Sequence, residues 1–256
     1  MYMRDNVIRL ALMFLISLSA FAQNRPIACP SSDLRCSDNG CIPKPTFLQQ
    51  CRHIELMPAT LFAALQNQDP VIRDAAAETL AHNTDMTGLT KDTVVSALIT
   101  ALKNEKQVRF EIASDLVDLG AQEGFSALRD MCNDQNLIAF RRISAAQALA
   151  NAGDEHCLDN VLTIMQSASD QDRTYALSTL PSYKQISPEQ SQAIFSLLTK
   201  SLTDKTSLVR SSASRALVEL GKTEAIPYLE SALASERDEH MKLQLETDLR
   251  RLREQR

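Results

Sequence analysis

Tryptophan is absent from this chain of 256 residues, aromatic residues make up only 5%, and there are 6 glycines and 4 histidines. So little glycine leaves no phosphate-cradling loop, and neither Gly-x-Ser-x-Gly nor His-Glu-x-x-His occurs. With few aromatics and few helix breakers, packing falls to alanine and leucine, which favours helices. After the first 22 residues, no apolar run approaches the roughly 20 needed to cross a bilayer. Positive charge is also in deficit, with 27 basic against 32 acidic residues and a net charge of −5. Nucleic acid and anionic membranes are therefore poor partners for the body of the chain. The one basic stretch, Leu249 to Arg256, reads as a helix C-terminus, where cations complement the dipole. His53, His82, His156 and His240 are scattered, so no metal or other cofactor is expected.

What is present is a repeat. Arg73-Asp74-Ala75-Ala76-Ala77-Glu78-Thr79-Leu80 returns at Arg109, Arg142, Arg173 and Arg210, and in degraded form at Lys242, every 31 to 37 residues. Leucine always stands seven positions after the basic residue: Leu80, Leu116, Leu149, Leu180, Leu217 and Leu249. The third and fourth positions are mostly alanine, so positions 0, 3, 4 and 7 mark one helical face. Gly120, Gly153 and Gly221 stand eleven residues after their arginines, where a left-handed residue would end the helix. A unit this short cannot bury its apolar side alone, and stacking on the next copy supplies the cover.

The opening Asp69-Pro70-Val71-Ile72-Arg73-Asp74-Ala75-Ala76 resembles that of a HEAT repeat, of the short, lyase-type variety. The resemblance covers residues 58 to 256 and implies an all-α fold, a right-handed α-solenoid of about six helical hairpins. It also implies a ladder of acid–arginine hydrogen bonds. Copies three to five lack the acid four residues before the arginine, which predicts a broken ladder. One HEAT-repeat family, deoxyhypusine hydroxylase, binds iron through His-Glu pairs. Here Glu155-His156 and Glu239-His240 run in the opposite order, and they read as ordinary exposed residues. Bilin lyases share the repeat type but work in the cytoplasm.

Residues 1 to 22 have the form of an export signal: Arg4 and Arg9, an apolar core from Leu10 to Leu18, then Ala20-Phe21-Ala22. Cleavage after Ala22 would make the protein periplasmic or secreted. Residues 23 to 57 form a Cys/Pro-rich N-terminal cap with Cys29, Cys36, Cys41 and Cys51. In an oxidising compartment these four predict two bridges, most simply Cys29 to Cys41 and Cys36 to Cys51, although sequence cannot choose among the three pairings. The cap faintly resembles a low-density-lipoprotein receptor class A module, without that family's acidic calcium ligands. Cys132 and Cys157 lie in the first helices of successive units, where stacking could bring them within bridging distance; two buried thiols are the alternative. Pro181 to Pro188 interrupts the repeat, and Ser187-Pro188-Glu189-Gln190 has the form of a capped helix start.

Function is expected on the second helices, whose positions two, five and nine point away from the buried face. There lie Glu111, Asp118, Gln147, Asn151, Tyr175, Ser178 and Arg215, a polar strip acidic in its first half. It suits a peptide or protein partner with basic groups, and Tyr175 and Arg215 are of the types favoured at interface hot spots. No catalytic residues are expected. Two other readings remain open: an enzyme or enzyme accessory with a site between repeats, and a structural subunit of an envelope complex.

Overall fold

A computed structural model describes residues 36–37, 40–167 and 169–255. These fall into two compact units that part after Thr79.

The first unit opens with an antiparallel pair of two-residue strands, β1 (Cys36–Ser37) and β2 (Gly40–Cys41), in which Cys36 lies opposite Cys41. One helical turn, α1 (Lys44–Thr46), runs into a π turn at Phe47–Cys51. The first hairpin follows, α2 (Pro58–Ala64) and α3 (Pro70–His82), the latter continuing into the second unit. Phe47 and Leu48 are fully buried, and the Arg52 guanidinium stands 4.6 Å from the Phe47 ring centroid. Lys44 is buried too, and its ammonium bonds to Asp74 Oδ1 at 2.7 Å and pairs with Glu78. Burial alone would lower the Lys44 pKa, but the two carboxylates outweigh it and raise it above the ordinary lysine value. Cys51 is disulfide-bonded. The expected pairing of Cys29 with Cys41, and the leader, involve residues outside those described.

The second unit is a stack of five hairpins. After the short α4 (Thr84–Thr87) these are α5 (Lys91–Asn104) with α6 (Arg109–Asp118), α7 (Gln122–Asn133) with α8 (Ala139–Asn151), and α9 (Leu158–Ile164) with α10 (Asp170–Thr179). Then come α11 (Pro188–Ser201) with α12 (Ser207–Glu219), and α13 (Ile226–Ser235) with α14 (Glu239–Glu254). The second helices α6, α8, α10, α12 and α14 pack side by side in one layer. The all-α hairpin architecture expected from the repeat is present.

The repeat face is the core. Leu80, Leu116, Leu149, Leu180 and Leu217 are all 0% exposed, as are Ala113, Ala145, Ala146, Ala176 and Ala213. Gly120, Gly153 and Gly221 have φ of 71, 83 and 62° and stop their helices as anticipated. In each stop the next N–H returns to the repeat leucine: Ala121 to Leu116 at 2.8 Å, Asp154 to Leu149 at 2.9 Å, Lys222 to Leu217 at 3.2 Å. Copy four has Pro181 and ends in a 3-10 turn, Leu180–Ser182. The Ser187 capping box forms, with Gln190 N donating to Ser187 Oγ at 3.2 Å and Ser187 N to Gln190 Oε1 at 2.8 Å. Ser214 takes an alanine position and is buried, but its hydroxyl bonds to the buried carboxylate of Asp248 on α14 at 2.5 Å.

Each repeat arginine ties its hairpin together. Its guanidinium donates to a backbone carbonyl at or just past the end of the preceding helix: Arg73 to Asn67 at 2.8 Å, Arg109 to Leu102 at 3.1 Å, Arg142 to Cys132 at 3.2 Å, Arg173 to Ser167 at 3.0 Å, Arg210 to Asp204 at 2.9 Å. These are carbonyls that a helix end leaves without an internal donor. The ladder expected to fail in the later copies in fact has rungs there. Arg173 Nη2 reaches Asp204 at 3.2 Å, and Arg210 grips Glu236 with two bonds of 2.7 and 2.8 Å. The acids used stand six residues before the next basic residue, not four, so the motif pointed to the wrong position. Glu236 also accepts the N–H groups of Arg237 and Asp238. The Arg210 bonds, opposed by burial and helped by those N–H groups, hold its carboxyl below the ordinary value.

Cys132 and Cys157 form a disulfide with Cα atoms 6.2 Å apart, and no cysteine among the described residues is free. Where α7 crosses α6, a Cβ on Gly124 would sit 2.7 Å from Ala113 O and Leu116 Cβ. Backbone cannot retreat as a flexible side chain can, so Gly124→Ala should lower stability by about 1–3 kcal/mol despite alanine's better helix propensity. Thermal denaturation monitored by circular dichroism checks this. A carboxyl depressed in the folded state contributes stability above its unfolded pKa and loses it as pH falls through the folded one. Melting temperature should therefore drop below about pH 4.5, the ordinary glutamate range, and drop less steeply in Glu236→Gln.

Candidate protein-binding face

The layer of second helices presents equivalent positions in rows, because each helix repeats the last. Gln147, Ser178 and Arg215, five residues after their arginines, are exposed on α8, α10 and α12. Asp118 and Asn151, at position nine, are exposed at the ends of α6 and α8. Position two turns further inward: Glu111 and Tyr175 are half-buried, and Ser212 is buried. The side chains on that inner row reach the neighbouring helix instead of water.

Two of these contacts shape the face. Arg141 Nη1 bonds to Glu111 Oε1 at 3.3 Å, joining α8 to α6, while Glu111 Oε2 is buried without a hydrogen-bond partner. Tyr175 packs on Phe140 of α8, ring centroids 5.1 Å apart and planes tilted by 60°, and Gln171 Nε2 donates to its hydroxyl at 3.3 Å. Phe140 is still 45% exposed, and Ile138 and Leu208 are more so, at 69 and 66%. The pairing of Tyr175 with a partly exposed phenylalanine was not foreseen; Phe140, two residues before an arginine, carried no mark of it. At the start of the layer, His82 Nε2 lies 3.3 Å from Asp115 and 3.6 Å from Asp118.

A second feature lies at the rim. Asp154, buried at the turn after α8, accepts Arg129 Nε at 2.8 Å, His156 N at 3.0 Å and pairs with His156 Nδ1 at 2.6 Å. Burial would raise its pKa, but the His156 and Arg129 hydrogen bonds outweigh that and hold it below the usual aspartate value. Beside it, the loop after α10 contributes Tyr183, 3% exposed, whose pKa is pushed up by burial and then by the Asp154 charge. The sequence marked this loop only as an interruption. Among the described residues, no group of three His, Cys, Asp or Glu side chains could hold a metal, and no helix is long and apolar enough to cross a membrane.

No curated protein sequence matches the chain. Among solved structures it is similar to a designed armadillo repeat protein in complex with the peptide (KR)4, at 18% identity over 75% of this chain and 98% of that one, TM-score 0.48. It is also similar to the complex of CpcE and CpcF of phycocyanin lyase from Nostoc sp. PCC7120, at 16% identity over 77% of this chain and 95% of that one, TM-score 0.39. The HEAT-repeat family model matches residues 58–150 and 158–249, which take in the helices from α2 to α13 but for the last residue of α8, and most of α14. With its arginine ties and glycine stops in the same stretch, the chain belongs to the HEAT-repeat family.

Proposed function

We propose that this protein is an exported, non-catalytic scaffold that holds a peptide or protein partner on the layer of second helices. The observation that carries this reading is the Phe140–Tyr175 pair, a partly exposed aromatic anchor set among exposed polar residues on adjacent helices. Anchors of this kind supply most of the affinity at interfaces, and polar neighbours supply register. Asp118, exposed at the end of α6, favours basic groups in the partner. The leader pattern supports export, as does the formed Cys132–Cys157 bridge, since bridges persist in oxidising compartments.

In-cell crosslinking with mass spectrometry tests the face. One partner should crosslink to wild-type residues of α8, α10 and α12 and be lost in a Tyr175→Ala, Arg215→Glu double variant that still folds by circular dichroism. Retention in the variant would remove the site from this face, and no specific partner would remove the reading. Export is checked by intact mass: protein from the envelope fraction should begin at Gln23 and show no free thiol.

A further inference from the structure

The tie between Arg210 and Glu236 has a counterpart earlier in the stack that is not closed. Glu236 is the first residue past α13, and Asp134 holds the same place past α7. In each case the arginine lies on the second helix of the hairpin before, Arg210 on α12 and Arg109 on α6. The turn before α8 runs over residues 134–138 and that before α14 over residues 236–238, so Asp134 stands further ahead of Arg142 than Glu236 does of Lys242. Arg210 and Glu236 meet in bonds of 2.7 and 2.8 Å. Arg109 bonds to Leu102 O instead, Asp134 Oδ1 accepts Asn136 N at 2.9 Å and Asn136 Nδ2 at 3.0 Å, and among the described residues no ion pair joins Arg109 to Asp134. Aspartate is one methylene shorter than glutamate, and this rung of the ladder stays open.

Arg109 and Asp134 both line a cleft of about 280 Å³. Lys106 and Asp130, both exposed, add a second charge of each sign, and among the described residues neither side chain is in an ion pair. Arg141 lines the cleft too, but it is paired with Glu111. Phe110, Met131 and Leu137 supply apolar surface, and Phe110 and Leu137 are only half-buried, so a solute can reach it. The volume lies just under the roughly 300–1,000 Å³ usual for small-molecule pockets, which suits a small metabolite. An anion would be drawn to Lys106 and Arg109 but repelled by Asp130 and Asp134, and a cation would meet the reverse. An uncharged apolar molecule would strip water from all four charges and replace none of it. A zwitterion answers both pairs.

We infer that the open rung is a binding site for a free α-amino acid with an apolar side chain. Its carboxylate takes the place of the missing rung on the Arg109 guanidinium, whose planar fork matches it, and Lys106 adds charge. Its ammonium pairs with Asp134 and Asp130, and its side chain packs on Phe110, Met131 and Leu137. A peptide is a poor substitute, because an internal residue carries neither charge and each terminus carries only one. The site is thus distinct in chemistry from the binding face proposed above, and its test needs no protein partner.

The test titrates L-leucine, L-methionine and L-phenylalanine into the 15N-labelled, disulfide-intact protein, with the N-acetyl and the carboxamide derivative of each as comparisons. Saturable shifts are expected at the amides of Lys106, Arg109, Asp134 and Leu137, with a Kd of about 1 mM for the best of the three. The N-acetyl derivative lacks the ammonium and the carboxamide lacks the carboxylate, so each should bind about tenfold more weakly. Asp134→Glu should close the rung onto Arg109, so that the variant melts above wild type and no longer responds to the amino acid. Asp134→Asn, which cannot close it, should fold as wild type by circular dichroism and bind about tenfold more weakly. Absence of shifts with all three amino acids, equal binding of either derivative, or an Asp134→Glu variant that melts no higher or still binds would overturn the inference.

Discussion

The structure depends on a guanidinium placed at the first turn of each second helix. A helical hairpin has a weak point where its first helix ends, because the last carbonyls have lost their internal donors and lie close to the turn. Arginine meets that need with a planar fork that can satisfy a carbonyl with one nitrogen and a carboxylate with another. Arg210 does both, bonding to Asp204 O and to Glu236. One residue thus closes its own hairpin and fastens it to the next. In the last described hairpin the basic residue is Lys242, whose ammonium bonds to Glu239 one turn earlier in its own helix.

Around these ties, close packing depends on how little side chain stands at the centre of each helix. Alanine at the third and fourth positions lets helices approach until backbone lies near backbone, and Gly124 is the extreme case. Such an interior has no room for error, and it also has few large groups through which to bind anything. Large exposed side chains on the layer are left to a few residues at the helix starts, Phe140 among them.

Much of this was legible in the sequence, for a physical reason. Helix stops at Gly120, Gly153 and Gly221, the Ser187–Gln190 box and the buried leucines are set by neighbours within one or two turns, so local pattern reports them. The register of the ladder depended on how far each hairpin leans on the next, which no local pattern encodes, so Asp204 and Glu236 were missed in favour of acids nearer the arginine. The Phe140–Tyr175 contact joins residues 35 apart in adjacent copies, and Tyr183 acquires its buried hydroxyl only once the loop has closed over the turn at Asp154. The Cys132–Cys157 bridge lay between these cases: the spacing allowed it, and the approach of the end of α7 to the residue before α9 decided it.

That bridge changes how the molecule can come apart. A repeat stack behaves as a row of nearest-neighbour couplings, so unfolding can start at either end and advance one unit at a time. A covalent link between successive units fuses two links of the row into a single cooperative block and halts fraying from both directions. The block carries Phe140, Asn151 and Asp154, so that stretch of the layer opens last. Loss of the cystine would turn the chain from one with a rigid middle and softer ends into one of uniform compliance.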